Sequence, residues 1–433
     1  MAKQNYEDMQ RKRANMQNQA RNRLTHPVND IWETKSQKLS GKAIVLGVTG
    51  SIAAVETVKL AHELARHGAD VWCVMSRPTA NIIHPDALEF ATGHPVILEI
   101  TGQTEHISLC GDTKRKADIL LIAPCTANTL SKIACGIDDT PVTTFATTAI
   151  GSDIPILIVP AMHASMYRHP IVKENMEKLR KYGVTIIEPK IEENKAKMMD
   201  VDEIVANVFR RIGKNDMAGK KTLIISGSTE EEIDDVRVIT NRSTGKTGIE
   251  IAKVVFERGG NVTLLCGASS EKPPRYIQTE RFSSVKNLMD TLKKTDLHKY
   301  DIIIIPAAIS DYTAKKQKGK ISSTKKKISL ELTQTPKVVD FIRKTSTAYL
   351  VGFKAEHGIP EKELIDRAYG RLKDMGMDLI VANDISLTTP DENVVFIIDK
   401  TKKTKKVEGK KQKIAEEIID TIVENVKSIG GGS

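Results

Sequence analysis

The chain has 433 residues, 40% of them hydrophobic, with a formal net charge of +10 and five cysteines (Cys73, Cys110, Cys125, Cys135, Cys266). That length implies two or three domains, each able to bury its own core. The odd, widely spaced cysteines contain no C-x-x-C and argue against a disulfide framework or a structural zinc. No apolar run approaches the roughly 20 residues of a membrane span and no h-region opens the chain, so the expectation is a cytoplasmic protein without a membrane partner.

The positive charge is concentrated in three places. Residues 1–40 hold eight Lys/Arg against four Asp/Glu, residues 315–327 hold seven lysines, and 400–413 hold eight more. The first and last read as solvated surface. The first is polar and poor in large aliphatics, which implies a mobile or peripherally docked extension. It has almost no aromatic interleaving, which argues against nucleic acid as a partner.

From Lys42 the pattern alternates strand and helix. Strands are expected near 43–48, 70–75, 118–123, 141–146 and 155–159, and helices near 52–67, 79–92, 127–135 and 170–182. This is the signature of a doubly wound parallel sheet. Its first turn carries Gly47 and Gly50, with hydroxyls from Thr49 and Ser51, and opens a helix where a phosphate can sit. Ile52, Val55, Ala61 and Leu64 are expected on one apolar face of that helix, closed by Gly68. Ligands bind beyond strand C-termini in such sheets. The ends read Gly50-Ser51, Ser76, Pro124 to Asn128, Thr147 and Pro160 to His163, small and polar with almost no charge. That composition suits a planar heterocycle with a phosphate tail better than a metal.

Three of these segments carry a resemblance. Gly-Val-Thr-Gly-Ser-Ile-Ala-Ala-Val (47–55), Ala-Pro-Cys-Thr-Ala-Asn-Thr-Leu-Ser-Lys-Ile-Ala-Cys-Gly-Ile-Asp-Asp (123–139) and Pro-Ala-Met-His-x-x-Met-Tyr (160–167) resemble the homo-oligomeric flavin-containing cysteine decarboxylases. The resemblance implies FMN, with Gly50, Ser51, Ser76, Thr126, Asn128 and Thr147 as cofactor-binding residues and Asn128, Met162 and His163 at the substrate. Glu105-His106-Ile107-Ser108-Leu109 matches the family's catalytic histidine segment and makes His106 the acid/base candidate. On the residues alone, His106 is a partly exposed histidine at a helix start. There are two departures. His163 stands where bacterial members have a carboxylate-gripping asparagine, and the flap stretch Glu188 to Met199 lacks the cysteine that supplies a proton in those enzymes. Cys125, in the proposed flavin loop, is the candidate replacement, against the plain reading of a small buried hydrophobe.

A helix near 201–212 and the polar Gly213-Lys214-Asn215-Asp216 form a natural boundary, after which strands at 220–226, 262–266 and 301–305 alternate with helices at 249–257 and 285–295. The long loop 226–248 ends in Ser243-Thr244-Gly245-Lys246-Thr247-Gly248, but the glycine a Walker A loop needs five residues before Gly245 is missing. Ile-Asp-Asp-Val-Arg-x-Ile-x-Asn-x-Ser-x-Gly-Lys-x-Gly (233–248) is instead similar to the signature of phosphopantothenate-cysteine ligases. Ala307 to Tyr312, Lys320-Ile321, Gly352 to Glu356 and Asp378 to Asp384 resemble further ligase segments. Ser228 and Ser322 depart from that pattern, and Lys325, Lys326 and Lys327 are candidates to supply charge beside Ser322.

The second resemblance implies Asn241 and Lys320 as catalytic residues, Asp311, Lys320, Phe353, Arg371 and Lys373 as nucleotide-binding, and Asp311 as the Mg²⁺ ligand. It also implies CTP, 4′-phosphopantothenate and L-cysteine as substrates joined through an acyl-cytidylate. The product then passes to the flavin domain for decarboxylation to 4′-phosphopantetheine. The implied fold is two consecutive doubly wound, Rossmann-like α/β domains. Residues 1–40 are the basic extension, 41–190 the decarboxylase domain, 191–218 flap and linker, and 219–430 the ligase domain. A homo-oligomer is implied, with ligase dimers and decarboxylase trimers, up to a dodecamer. The alternatives are a paired flavoprotein without the decarboxylase, favoured by the missing flap cysteine, and a basic nucleic-acid scaffold, favoured by charge alone.

Overall fold

In a computed structural model, residues 26–114, 116–322 and 327–430 are described. Most of the basic extension, Lys325, Lys326 and the final Gly-Gly-Ser lie outside them. The chain divides after Gly213 into two compact units. No described helix is long and apolar enough to cross a membrane.

The first unit starts with a short helix, α1 (Val28–Ile31), and a five-stranded parallel sheet built from β1 (Ala43–Val48), β2 (Asp70–Met75), β3 (Ile119–Cys125), β4 (Ile156–Pro160) and, after the two-residue β5 (Met162–His163), β6 (Thr185–Ile186). The order is β2-β1-β3-β4-β6, so the topology reverses between β1 and β3, where doubly wound sheets hold ligands. Strand residues alternate between two cores. Ile44, Leu46 and Val48 face α2 (Thr57–Arg66), α3 (Pro85–Thr92) and α9 (Val201–Ile212). Val45 faces the opposite cluster of α5 (Ala127–Cys135), α6 (Pro141–Gly151) and α8 (Pro170–Lys181). Two short helices complete the set, α4 (Glu105–Cys110) and α7 (Ala164–Tyr167). Residues 28–39 pack on this unit through buried Val28 and Leu39, with Lys35 paired to Glu63 at 2.5 Å.

Two expectations are corrected. Residues 141–146 are not a strand but the start of α6: Thr140 caps it in a reciprocal capping box with Thr143, and Pro141 fits its first turn. Val142, Phe145, Ala146 and Ala149 are buried at helical spacing, which the β-branched run disguised. Thr147 is therefore on the exposed side of a helix, not at a strand end. The second concerns the first helix. Ile52–Glu56 is a tight 3-10 turn ahead of α2, so Ile52 is 77% exposed and does not share the apolar face of Ala61 and Leu64.

The second unit is built on an eight-stranded sheet. Its strands are β9 (Lys221–Ser226), β12 (Asn261–Cys266), β13 (Gln278–Arg281), β14 (Ile302–Ile305), β17 (Tyr349–Glu356), β18 (Leu379–Asp384), β19 (Glu392–Asp399) and β20 (Thr404–Lys410). The order is β13-β12-β9-β14-β17-β18-β19-β20, parallel through β18 and then antiparallel. One face packs on α10 (Lys246–Glu257) and α14 (Lys411–Gly430), the other on α11 (Val285–Lys294), α12 (Val338–Thr345) and α13 (Glu361–Asp374). Two arms leave the sheet: β10 (Glu230–Glu232) pairs with β11 (Val238–Thr240), and β15 (Tyr312–Ala314) with β16 (Leu332–Gln334). The doubly wound α/β class expected for both halves is borne out.

Candidate active sites

In the first unit the strand ends around the β1/β3 switch are stitched together by hydroxyls. The buried Thr49 donates to Pro124 O at 2.8 Å and accepts from Thr126 N at 2.9 Å. Thr126 in turn caps α5 through Thr129 N, which leaves Asn128 exposed on that helix's first turn. Gly50 lies so close to the next loop that a Cβ there would sit 3.0 Å from Pro78 Cβ, and Ser51 caps the 3-10 turn. Ser76 is turned inward: its hydroxyl shares a 2.9 Å hydrogen bond with Thr79, whose hydroxyl reaches Val48 O. Its backbone is spent as well, the N–H donating to Val48 O at 3.0 Å and the carbonyl accepting from Thr79 N at 2.9 Å, so Ser76 shapes this corner rather than facing it.

His106 occupies the first turn of α4, two residues after Thr104, which holds a left-handed φ of 52° that β-branched residues rarely adopt. Its Nδ1 is buried and lacks a hydrogen-bond partner, an orphan that a ligand atom would satisfy. These groups fit a flavin mononucleotide: hydroxyls and an amide for its phosphate and ring edge, and an unsatisfied imidazole nitrogen.

His163 caps α7, its Nδ1 accepting from Ser165 N at 3.3 Å, so in the neutral ring Nε2 carries the proton and is the outward donor. Met162 and His163 form β5 and pair with β8 (Lys195–Lys197) of a hairpin whose other strand is β7 (Lys190–Glu192). Its two-residue turn, Glu193-Asn194, has both residues left-handed, as a tight hairpin turn requires. This is the flap stretch, now seen to be knitted to the His163 strand, with Lys195 opposite His163. Cys125 is poorly placed for the proton-donor role. Cys125 is fully buried among Leu130, Ile133 and Ala127, and burial pushes its thiol up, away from a ready proton donor.

The second unit has a cavity of about 860 Å³ at the strand ends on either side of the β9/β14 switch. Close packing of glycines shapes it: a Cβ on Gly248 would stand 2.1 Å from Ser226 Oγ, and Gly245 has φ +72°. Asn241 lines it and donates to Ala308 O at 3.3 Å. Asp311, Phe353 and Arg371 line it as well. Asp311 is ion-paired to Lys337 at 2.6 Å, and no group of three His, Cys, Asp or Glu side chains able to hold a metal occurs among the described residues. These residues do not build a resident metal site. A magnesium ion would enter on the nucleotide's phosphates, as part of the substrate.

Two expected residues are elsewhere. Lys373 lies over the Tyr369 ring at 4.5 Å, outside the cavity lining, while Met375, two residues on, lines it. Lys320 is also outside the lining, on the loop between β15 and β16. That loop is clamped by the Ile-Asp-Asp-Val-Arg segment. Buried Asp234 accepts from Ile321 N at 3.0 Å, Val236 N at 2.8 Å and Arg237 N at 2.7 Å, and Asp235 accepts from Gly319 N at 2.8 Å. Those amides, Ile321 first, favour the charged form and draw the Asp234 carboxyl down to about 2.

Sequence reasoning missed Lys411, which lines the cavity although it lies in a lysine-rich run read as solvated. The signal was available: Lys411 begins a helix whose Ile414, Ala415 and Ile418 repeat at core spacing.

Two family descriptions match the chain: "Flavoprotein" over residues 33–213 and "DNA/pantothenate metabolism flavoprotein C-terminal domain" over 217–426. The chain is 46% identical over 402 residues to the coenzyme A biosynthesis bifunctional protein CoaBC of Thermococcus kodakarensis, covering 92% of this chain and 99% of the relative. It is 41% identical over 411 residues to the protein of that name from Methanocaldococcus jannaschii, covering 94% and 99%. A crystal structure of the DNA/pantothenate metabolism flavoprotein from Streptococcus pneumoniae is 30% identical, covers 47% of this chain and 98% of its own, and gives a TM-score of 0.44.

Proposed function

We propose roles for the two sites from one premise: the chain belongs to the family of bifunctional coenzyme A biosynthesis (CoaBC) proteins. It is a carbon–nitrogen ligase and a flavin-dependent carboxy-lyase in one polypeptide, working in coenzyme A biosynthesis. The finer assignment is that the second unit joins 4′-phosphopantothenate to L-cysteine with CTP, and the first decarboxylates the product with FMN.

A carboxylate becomes acylating only when its oxygen becomes a leaving group. In this reading the phosphopantothenate carboxylate attacks the nucleotide's α-phosphorus, pyrophosphate leaves, the cysteine amine attacks the acyl carbon, and CMP departs. Asn241, at the cavity wall, holds and polarises the acyl group with its amide. Phe353 and Arg371 offer a ring face and a guanidinium to the nucleotide. Lys320 stabilises charge at the α-phosphate. It stands outside its own chain's cavity, on an arm whose Tyr312 and Leu332 are exposed, so we assign it to the cavity of a second copy in a homo-oligomer.

In the first unit, FMN would sit against Gly50, Ser51, Thr126 and Asn128. Bound there, FMN would supply the two-electron redox chemistry for oxidation of the cysteinyl side chain and for the return reduction after CO₂ loss. His106 handles the proton of that oxidation at its unsatisfied Nδ1. His163 donates from Nε2 to the substrate carboxylate, in place of the bacterial asparagine. Met162 and the flap cover the substrate from the same small sheet.

The observation that carries the reading is the unit-two cavity, where Asn241, Asp311, Phe353 and Arg371 converge from four separate sequence segments. Asn241→Asp and His106→Asn in the full chain test it. The first is expected to stop formation of phosphopantothenoylcysteine. The second is expected to leave that step within about twofold and to abolish CO₂ release from the supplied intermediate, a loss on the order of 10²–10⁴ for a missing acid/base group. Ligation by the Asn241 variant, or CO₂ release by the His106 variant, would overturn the corresponding role.

A further inference from the structure

Among the cationic side chains that line the ligase cavity and to which the chemistry above gives no task, Lys246 and Lys411 stand at one corner. Lys411 is only 6% exposed, yet it forms no ion pair among the described residues, and its Nζ donates to a single acceptor there, Pro390 O at 2.8 Å. A buried ammonium without a direct ion pair is costly to keep. Lys246 lies nearby, and burial first, then Lys246, hold the Lys411 amine below the ordinary lysine range. Asp391 and Glu271 are the acids facing the pair. Lys246 is held by Asp391 at 2.5 Å, and the Lys411 N–H donates to Asp391 O at 2.9 Å. Both lysines thus meet at one corner, where residues 388–390 line the cavity. Lys246 is also the first residue of the twelve-residue helix α10, whose N-terminal Lys246, Thr247 and Gly248 all line the cavity. A helix N-terminus, a paired lysine and a buried unpaired lysine at one wall make a strongly anion-seeking corner.

We propose that Lys246 and Lys411 form a phosphate cradle, and that Asp391 occupies Lys246 until the phosphate displaces it. Resting on the ligase reading, this extends it with two residues to which that reading gives no role. The phosphate has two possible sources, the terminal phosphates of the nucleotide and the phosphomonoester of 4′-phosphopantothenate, and the chemistry of recognition is shared.

Titration calorimetry of the full chain with Mg²⁺–CTP, CMP and 4′-phosphopantothenate separates them. Lys411→Met keeps the buried stem and removes the charge, and Lys246→Met does the same at the helix start. The expected result is that both variants lose about tenfold or more in affinity for one phosphate ligand while CMP binding stays within about twofold. Loss confined to CTP assigns the cradle to the nucleotide tail; loss confined to phosphopantothenate assigns it to the acid substrate. Asp391→Asn is expected to tighten the same ligand, which a merely structural ion pair would not do. Unchanged affinities in both lysine variants, or equal loss of all three ligands, would overturn the cradle. Weaker binding in Asp391→Asn would overturn the displacement. Wild-type protein binding neither CTP nor phosphopantothenate would sink the ligase reading itself and the cradle with it.

Discussion

At the scale of single residues, the structure separates cysteines and histidines that look alike in sequence. Cys125 follows a strand in a loop rich in site residues, but its thiol is packed into the core and held protonated by burial. Cys125→Ala is therefore expected to leave the decarboxylation rate within about twofold and to cost about 1 kcal/mol of stability, as a small core truncation does. A stalled reaction measured by product mass would restore the thiol to the mechanism. His163 makes the opposite case. Its Nδ1 is committed to Ser165, which fixes Nε2 as the donor. His163→Asn is expected to retain most of the affinity for the carboxylated substrate, and His163→Ala to raise KM by about tenfold, the worth of one hydrogen bond to a charged group. Equal KM values for the two variants would contradict a carboxylate-facing donor.

At the scale of elements, the Ile-Asp-Asp-Val-Arg segment clamps the Lys320 loop. The Asp234 carboxyl is drawn down to about 2 by the amides it accepts from, Ile321 first, against an ordinary value near 4. Because the folded value is depressed, its contribution to stability is complete above about pH 4 and is lost as pH falls toward 2. Asp234→Asn should flatten the fall in melting temperature over that window and lower kcat for ligation with CTP affinity unchanged. An unaltered acid profile would contradict the clamp. Gly248→Ala should cost about 1–3 kcal/mol through its clash with Ser226, and its failure to destabilise would mean the loop has room. The elements also show where sequence was legible. Apolar runs revealed β1 to β4, β9, β12 and β14, since each must face two cores, whereas β6, β13, β17 and β18 were not read as strands. The misread α6 is rich in β-branched residues, whose strand preference masked a threonine–proline helix start. Thr140→Ala, which removes that cap, should cost about 1 kcal/mol.

At the scale of the whole molecule, two doubly wound units each carry a candidate site at a topological switch, and the segments that form the strand ends there were the ones the sequence motifs marked. Less legible was anything set by contact between distant segments: the inward turn of Ser76, the burial of Lys411, and the position of Lys320 outside its own cavity. No local pattern encodes those, because they depend on which loops the sheet order brings together. The central claim, that one chain performs both ligation and decarboxylation through these sites, is tested most directly by product mass. The purified protein would be incubated with 4′-phosphopantothenate, L-cysteine, CTP, Mg²⁺ and FMN. Accumulation of 4′-phosphopantetheine and CMP is the expected result. A reaction that halts at phosphopantothenoylcysteine would contradict the flavin site as assigned, and one that forms no phosphopantothenoylcysteine would contradict the ligase site.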